Sequence, residues 1–297
     1  MSRGGLGPIV AALGGDLYDG GRRACVPGVG HGPADRSLSL LLDGERVVAH
    51  SFAGDDWRDA LAELRARGLV DEDGRLRGGR AAPRPGGQLS VAERVRVAQG
   101  LWNGAVALTA ASAAGRYLRW RGVSADLAAL HDLRAHPAAP TSVYRPSRAR
   151  RPALLAGLRA PDGELTAVEI TYLSPAGRRA ERMALSRKTV GAVPPGSAVR
   201  LRPSAAELLV AEGLFTTLSA AARFGLPGWA LLSTSNLRRW QAPAGVRRVL
   251  IAADRDRDGQ RSAAILAAAL SAEGVAAEVR LPPPGRGDWN DLQRSGR

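Results

Sequence analysis

The spacing of apolar and polar positions changes along the chain and divides it into four segments. In residues 1–70 a short apolar stretch, Leu6–Leu13, reads as a helix, and two short strands fall within "SLSLLLDGERVVAH". An amphipathic helix follows over "DWRDALAELRARG", with Leu61 and Leu64 on one face and Gly68 as its stop. Residues 71–89, "DEDGRLRGGRAAPRPGGQL", are rich in Gly, Pro and Arg without an apolar period and read as a linker. Residues 90–204 begin with helices to about residue 135, where Trp102, Leu108, Tyr117, Leu118 and Leu127 are the expected core. They continue into "PALLAGLRAPDGELTAVEITYLSPAGRR", two apolar runs around a Pro-Asp-Gly turn, which is a hairpin signal. From 205 to 297, short buried strands alternate with helices, the pattern of a compact α/β unit with a mainly parallel sheet.

Two of the predicted strands end on acids. "ELLVAEG" closes on Glu212, and "VLIAADRDRDG" closes on Asp254 with Asp256 and Asp258 two and four positions further on. Groups at the carboxyl ends of strands in open α/β sheets gather in one crevice. Alternation along an extended exit turns Asp254 and Asp256 the same way. Three acids at one rim make an all-oxygen site suited to Mg²⁺ (or Mn²⁺), which takes a few carboxylates, keeps waters and accepts substrate phosphates. The competing local reading of "DRDRDG" is a helix N-cap or a solvated turn.

The ordered set "LLVAEGLFTTLSAA", "VLIAADRDRDGQRSAA" and "GDWNDL" resembles the Toprim domain of primases, topoisomerases and related nucleases, over residues 205–293. The resemblance implies that Asp254 and Asp256 hold Mg²⁺ and that Glu212 is a general acid/base or a further ligand. Asp258 is either a third ligand or a helix cap. Related chains often carry an acid at or next to Phe215, so "GLFTT" departs from the pattern. Asp288, Asn290 and Asp291 stand where outer contacts to the site, or a helix cap, are expected.

The first segment resembles the zinc ribbon that opens many primases of this group. Asp35-Arg36-Ser37-Leu38-Ser39, His50 and Phe52-Ala53-Gly54 before the helix carry the likeness. The ligands do not survive: Cys25 and His31 remain with unusual spacing, and Ser51 and Asp55 stand where two cysteines belong. A structural zinc site wants four nitrogen or sulfur ligands, so no stable zinc is expected and the ribbon is degenerate. The overall expectation is α+β ribbon-like and helical N-terminal regions followed by a C-terminal α/β Toprim domain.

Composition and charge narrow the function. The net charge is +14 over 297 residues, with Lys188 the only lysine among 42 Lys and Arg. Arg-for-Lys usage is partly compositional, yet the charge favours a polyanionic partner. Residues 145–202 concentrate the basic excess. Arg182, Arg187 and Lys188, with Arg119 and Arg121 of "AAGRYLRWRGVS", are the candidate contacts to nucleic acid or nucleotide, against the alternatives of solvated charge and, for Tyr117, of core. One cysteine excludes an intrachain disulfide, and the absence of a long apolar run makes the cytoplasm the default. No P-loop signature occurs, so unwinding would fall to a separate helicase. The leading expectation is a Mg-dependent primase-like nucleotidyltransferase of a mobile element or plasmid, making short RNA primers on single-stranded DNA. A Toprim nuclease and a non-catalytic nucleic-acid-binding accessory are the alternatives.

Overall fold

The computed structural model describes residues 5–32, 35–51, 56–77, 89–144, 146–181, 183 and 185–295. It forms two compact units, Met1–Gln88 and Leu89–Arg297.

In the first unit, α1 (Gly7–Leu13), β1 (Asp16–Tyr18), β2 (Arg23–Val26), β3 (Leu38–Asp43), β4 (Arg46–Ser51) and α2 (Trp57–Ala66) follow in order. The strands make one antiparallel sheet in chain order. Strict alternation sends Leu38, Leu40 and Leu42 inward onto Ile9 of α1 and Leu61 and Leu64 of α2. Asp56 caps α2 by accepting from the Arg58 N–H at 2.9 Å. Strands β1 and β2 lack a sequence signal because they are short and polar on their outer face.

The stretch expected to be linker from residue 71 is partly folded. The Asp71 carboxylate accepts from the Arg75 N–H at 2.7 Å, which turns the chain back so that Leu76 bridges to Val70 and is buried. Residues 78–88 of that stretch, and Phe52, Ala53, Gly54 and Asp55, lie outside the described residues.

The second unit opens with α3 (Val91–Asn103), held by a reciprocal Ser90/Glu93 capping box, and α4 (Ala113–Trp120), capped by Ser112. An antiparallel sheet follows, β5 (Leu133–Pro140), β6 (Arg150–Arg159), β7 (Leu165–Tyr172) and β8 (Arg187–Gly191), in that order. The expected hairpin is β6–β7, turning at Pro161-Asp162-Gly163 with Gly163 at φ +96. β5 escapes a sequence reading because Pro137 and Pro140 interrupt it, which an edge strand with a bulge after His136 tolerates. One face of this sheet packs Leu155, Val168, Ile170 and Tyr172 on Leu101 and Trp102 of α3. The other packs Leu154, Leu158 and Ala167 on Tyr117 and Leu118 of α4.

The chain continues through β9 (Val199–Arg200), β10 (Glu207–Ala211), α5 (Leu214–Phe224), β11 (Gly228–Ala230), α6 (Thr234–Leu237), β12 (Arg248–Ala252), α7 (Arg257–Ala272), β13 (Ala276–Arg280) and α8 (Trp289–Ser295). These strands form a sheet in the order β13-β12-β10-β11-β9, parallel except for the edge strand β9. Leu208, Val210, Val249 and Ile251 face α7, while Leu209, Ala211, Leu250 and Ala252 face Ala220 of α5 and Trp289 of α8. Helices on both faces explain why β10 and β12 read as continuous apolar runs. Leu214, Phe215 and Leu218 of α5 join the core beneath α4.

Leu118 is fully buried where α4 meets both the antiparallel sheet and α5. Leu118→Ala is expected to cost about 2–5 kcal/mol in urea unfolding, whereas Ile265→Ala, on the exposed face of α7, should stay within about 0.5 kcal/mol of wild type.

Candidate functional site

Neighbouring strands β10 and β12 run parallel with Ala211 opposite Ala252, so the chain exits both at the same rim of the sheet. Glu212 leaves β10 there, and Asp254, Asp256 and Asp258 follow β12. Glu212 and Asp254 are half-buried, and Asp256 is exposed.

Each acid has a different local partner. Asp254 Oδ1 accepts from Thr216 Oγ1, in the first turn of α5, at 3.2 Å. Asp256 caps α7, its Oδ1 accepting from the Gly259 N–H at 2.7 Å. Asp258 is paired with Arg238, the residue just after α6, which also donates from Nε to Ser262 Oγ at 3.0 Å. Thus the cap reading holds for Asp256 without removing its second oxygen from the rim. Asp258, expected as a third ligand or a helix cap, thus carries a guanidinium at its carboxylate.

None of the ion pairs among the described residues involves Glu212, Asp254 or Asp256. Burial, then the charges of Asp254, Asp256 and Asp258, push the Glu212 carboxyl up to about 7, against a smaller opposing hydrogen bond from the Thr234 N–H. Burial, then Asp288, push Asp254 up to about 6; Thr216 opposes this, while Asp256 and Asp291 add to it. Among the described residues, then, Glu212, Asp254 and Asp256 form no ion pair that would offset their charge.

Both glycines of the motif have a steric reason. A Cβ on Gly259 would stand 3.0 Å from the Asp254 carbonyl oxygen and 3.2 Å from Asp256 Oδ1. One on Gly213 would stand 3.2 Å from Thr216 Oγ1, the hydroxyl that holds Asp254. A side chain at either position would crowd the groups that place Asp254 and Asp256.

A hard divalent cation fits the chemistry of this donor set, which is all oxygen and electrostatically uncompensated. Among the described residues, no three His, Cys, Asp or Glu side chains already form a group that could hold a metal. An ion that takes one or two carboxylates and keeps most of its waters, as Mg²⁺ does, suits such an open rim.

The predicted cations scatter. Arg187 is exposed and 3.8 Å from the largely buried Glu169. Lys188 lies on the opposite face of β8, donating to the Thr141 carbonyl at 2.8 Å above the Tyr172 ring. Arg119 is exposed on α4, and Arg182 lies outside the described residues. Arg121 is engaged inside the protein: its Nε donates to Asn290 Oδ1 at 2.8 Å, and its guanidinium lies 3.9 Å from the Phe215 ring centroid. Arg121 and Lys188, expected as contacts to nucleic acid or nucleotide, are thus both hydrogen-bonded within the protein. Phe215, the departure from the acid pattern, is buried edge-on against Tyr117.

In the first unit, Cys25 is half-buried on β2 and burial raises its thiol pKa. His31 Nδ1 is 2.9 Å from Asp35 Oδ2 and 3.2 Å from Ser37 Oγ, so the two remnants of the ribbon engage separate neighbours. Sequence reading missed Thr216 and Arg238. A hydroxyl one turn into the helix after Glu-Gly was the available signal for the first, and none existed for the second.

Residues 207–297 match the family model described as Toprim domain, and residues 92–201 match a domain of unknown function, DUF7146. No curated protein matches the chain. Among solved structures, the primase fragment of the bacteriophage T7 primase-helicase protein is similar at 15% identity and TM-score 0.40, over 92% of this chain and 94% of that one. The Aquifex aeolicus primase, with its zinc-binding and RNA polymerase domains, is similar at 15% identity and TM-score 0.45, over 97% and 79%. A DNA primase domain from Pseudomonas aeruginosa is similar at 16% identity and TM-score 0.45, over 68% and 74%.

The raised Glu212 pKa carries a sign. An ordinary Glu ionises at 4.5, while folded Glu212 holds its proton up to about 7. This preference for the folded state is complete below 4.5 and is lost as pH rises through 7. In EDTA, Glu212→Gln is therefore expected to melt several degrees above wild type at pH 8 and level with it at pH 4, by differential scanning calorimetry. The parallel strands, the acids that close β10 and β12, and the family match over 207–297 together make the C-terminal third of the chain a Toprim domain.

Proposed function

We propose that this protein is a primase-like nucleotidyltransferase that joins ribonucleotides on a single-stranded DNA template with the help of a divalent cation. The observation that carries the reading is the unpaired Glu212–Asp254 charge at the shared rim of two adjacent parallel strands.

Asp254 and Asp256 would hold the cation, which when bound supplies positive charge to offset that developing on the phosphoryl group. Thr216 fixes Asp254 by its hydroxyl, and the Gly259 N–H fixes Asp256. Glu212, with a pKa near neutrality, takes a proton at its carboxylate from an attacking 3′-hydroxyl. Arg238 pairs with Asp258, which keeps that acid turned to a guanidinium. Arg187 and Arg119 are exposed and stand as contacts to template or nucleotide phosphates, with Arg182 as a further candidate. A separate helicase would supply unwinding. Mobile-element replication is the context that the sequence resemblance suggests, and the cytoplasm its setting. No helix among the described residues is long and apolar enough to cross a membrane.

The test is incubation with single-stranded DNA, labelled ribonucleotides and Mg²⁺ or Mn²⁺. Wild type is expected to make short metal-dependent oligomers, and Asp254→Asn/Asp256→Asn to lose at least about 100-fold of that rate. Metal-dependent template cleavage lost in the same variant would assign the acids to a nuclease instead. Unchanged DNA binding with neither product would leave an accessory binding protein.

A further inference from the structure

Helix α8 follows Asp288, and its first turn carries Asp291, two acids whose charge acts on Asp254. Trp289 packs α8 onto the sheet and α5, and its polar anchor at that rim comes from 169 residues earlier in the chain. Asn290 is 1% exposed and uses both ends of its amide. Its Oδ1 accepts from Nε and Nη2 of Arg121. Its Nδ2 donates to the Arg121 carbonyl at 2.8 Å and to Ser219 Oγ of α5 at 3.0 Å. One turn on, Gln293 Nε2 donates to the Gly122 carbonyl at 2.8 Å. The polar anchors of α8 therefore meet the C-terminal end of α4, a helix of the domain that precedes the Toprim domain.

The same guanidinium reaches the other side of the rim. It stacks on Phe215, whose neighbour Thr216 donates to Asp254. Tyr117 of α4 packs edge-on against Phe215, 5.4 Å between ring centroids, and its hydroxyl accepts from Arg121 Nη1 at 3.4 Å. So Arg121 touches both α8, with its acids, and the first turn of α5, with Thr216.

We infer that Arg121 and Asn290 form a positioning clamp through which the preceding domain sets the two elements flanking Asp254, so that the Toprim acids bind a divalent cation fully only when that clamp is closed. This rests on the divalent-cation reading above. A planar fork is required, because two donors meet one amide oxygen while the flat face covers a ring. Lysine keeps the charge and supplies neither the fork nor the flat face.

The experiment measures Mn²⁺ affinity by electron paramagnetic resonance, without nucleotide or DNA, on the full chain and on Arg121→Lys, Asn290→Ala and the double variant, with metal-free melting in EDTA alongside. Each single variant is expected to lose about 10-fold or more in Mn²⁺ affinity while melting within a few degrees of wild type. The double variant should be no worse than the more affected single one, since the two residues act as one unit. Folded single variants that bind Mn²⁺ as wild type does overturn the clamp. So do losses that simply add, or losses that track melting temperature across the set. Asp254→Asn separates the two readings: if wild type binds no Mn²⁺, or binds it equally after Asp254→Asn, the cation reading falls and the clamp with it. If Asp254→Asn abolishes binding while the clamp variants keep it, only the clamp falls.

Discussion

Uncompensated negative charge at the carboxyl rim of β10 and β12 is the constraint to which the rest of the second unit answers. Two parallel strands in register, Ala211 against Ala252, bring Glu212 and Asp254 to one edge. Taking carboxylates out of water and setting them together costs free energy, which is why Glu212 holds its proton to about 7. The offsetting stabilisation lies below the rim, where β10 and β12 bury apolar side chains on both faces of the sheet. An unpaired acid at the end of such a strand is sustained by the packing of the strand itself.

A chain of net charge +14 has ample cations to neutralise these acids. Those near the rim go elsewhere. Arg238 is spent on Asp258 and Ser262. Arg255 points away, its Nε donating to the Pro282 carbonyl at 3.0 Å. Arg121 is taken by Asn290 and Phe215. Asp258 has a guanidinium beside it, whereas Glu212 and Asp254 meet only hydrogen-bond donors, the Thr234 N–H and the Thr216 hydroxyl.

What the sequence disclosed follows the range of the interactions. Strand, cap and turn signals are local, so "ELLVAEG", "VLIAAD", the β6–β7 hairpin and α2 could be read from spacing alone. β5 could not, because Pro137 and Pro140 argue against a strand unless its edge position is known. The guanidinium beside Asp258 was not legible because it lies 20 residues upstream with no motif linking the two. The bond from Arg121 to Asn290 was hidden for the same reason on a larger scale: a basic residue beside aromatics has the same local signature whether or not it meets an Asn 169 residues away.

Phe215 shows how a departure from a family pattern can mislead when read only as a loss. An acid at that position would have added charge to a rim already overloaded with it. The phenyl ring instead gives α5 a flat apolar surface for Tyr117 and the Arg121 guanidinium. That surface belongs to the core that Leu118, Leu154 and Leu158 build beneath α4. The boundary near residue 205, clear as a change in sequence texture, is therefore not an energetic boundary. α5 is packed as much by the domain before it as by its own sheet, and the acids it helps to place depend on both.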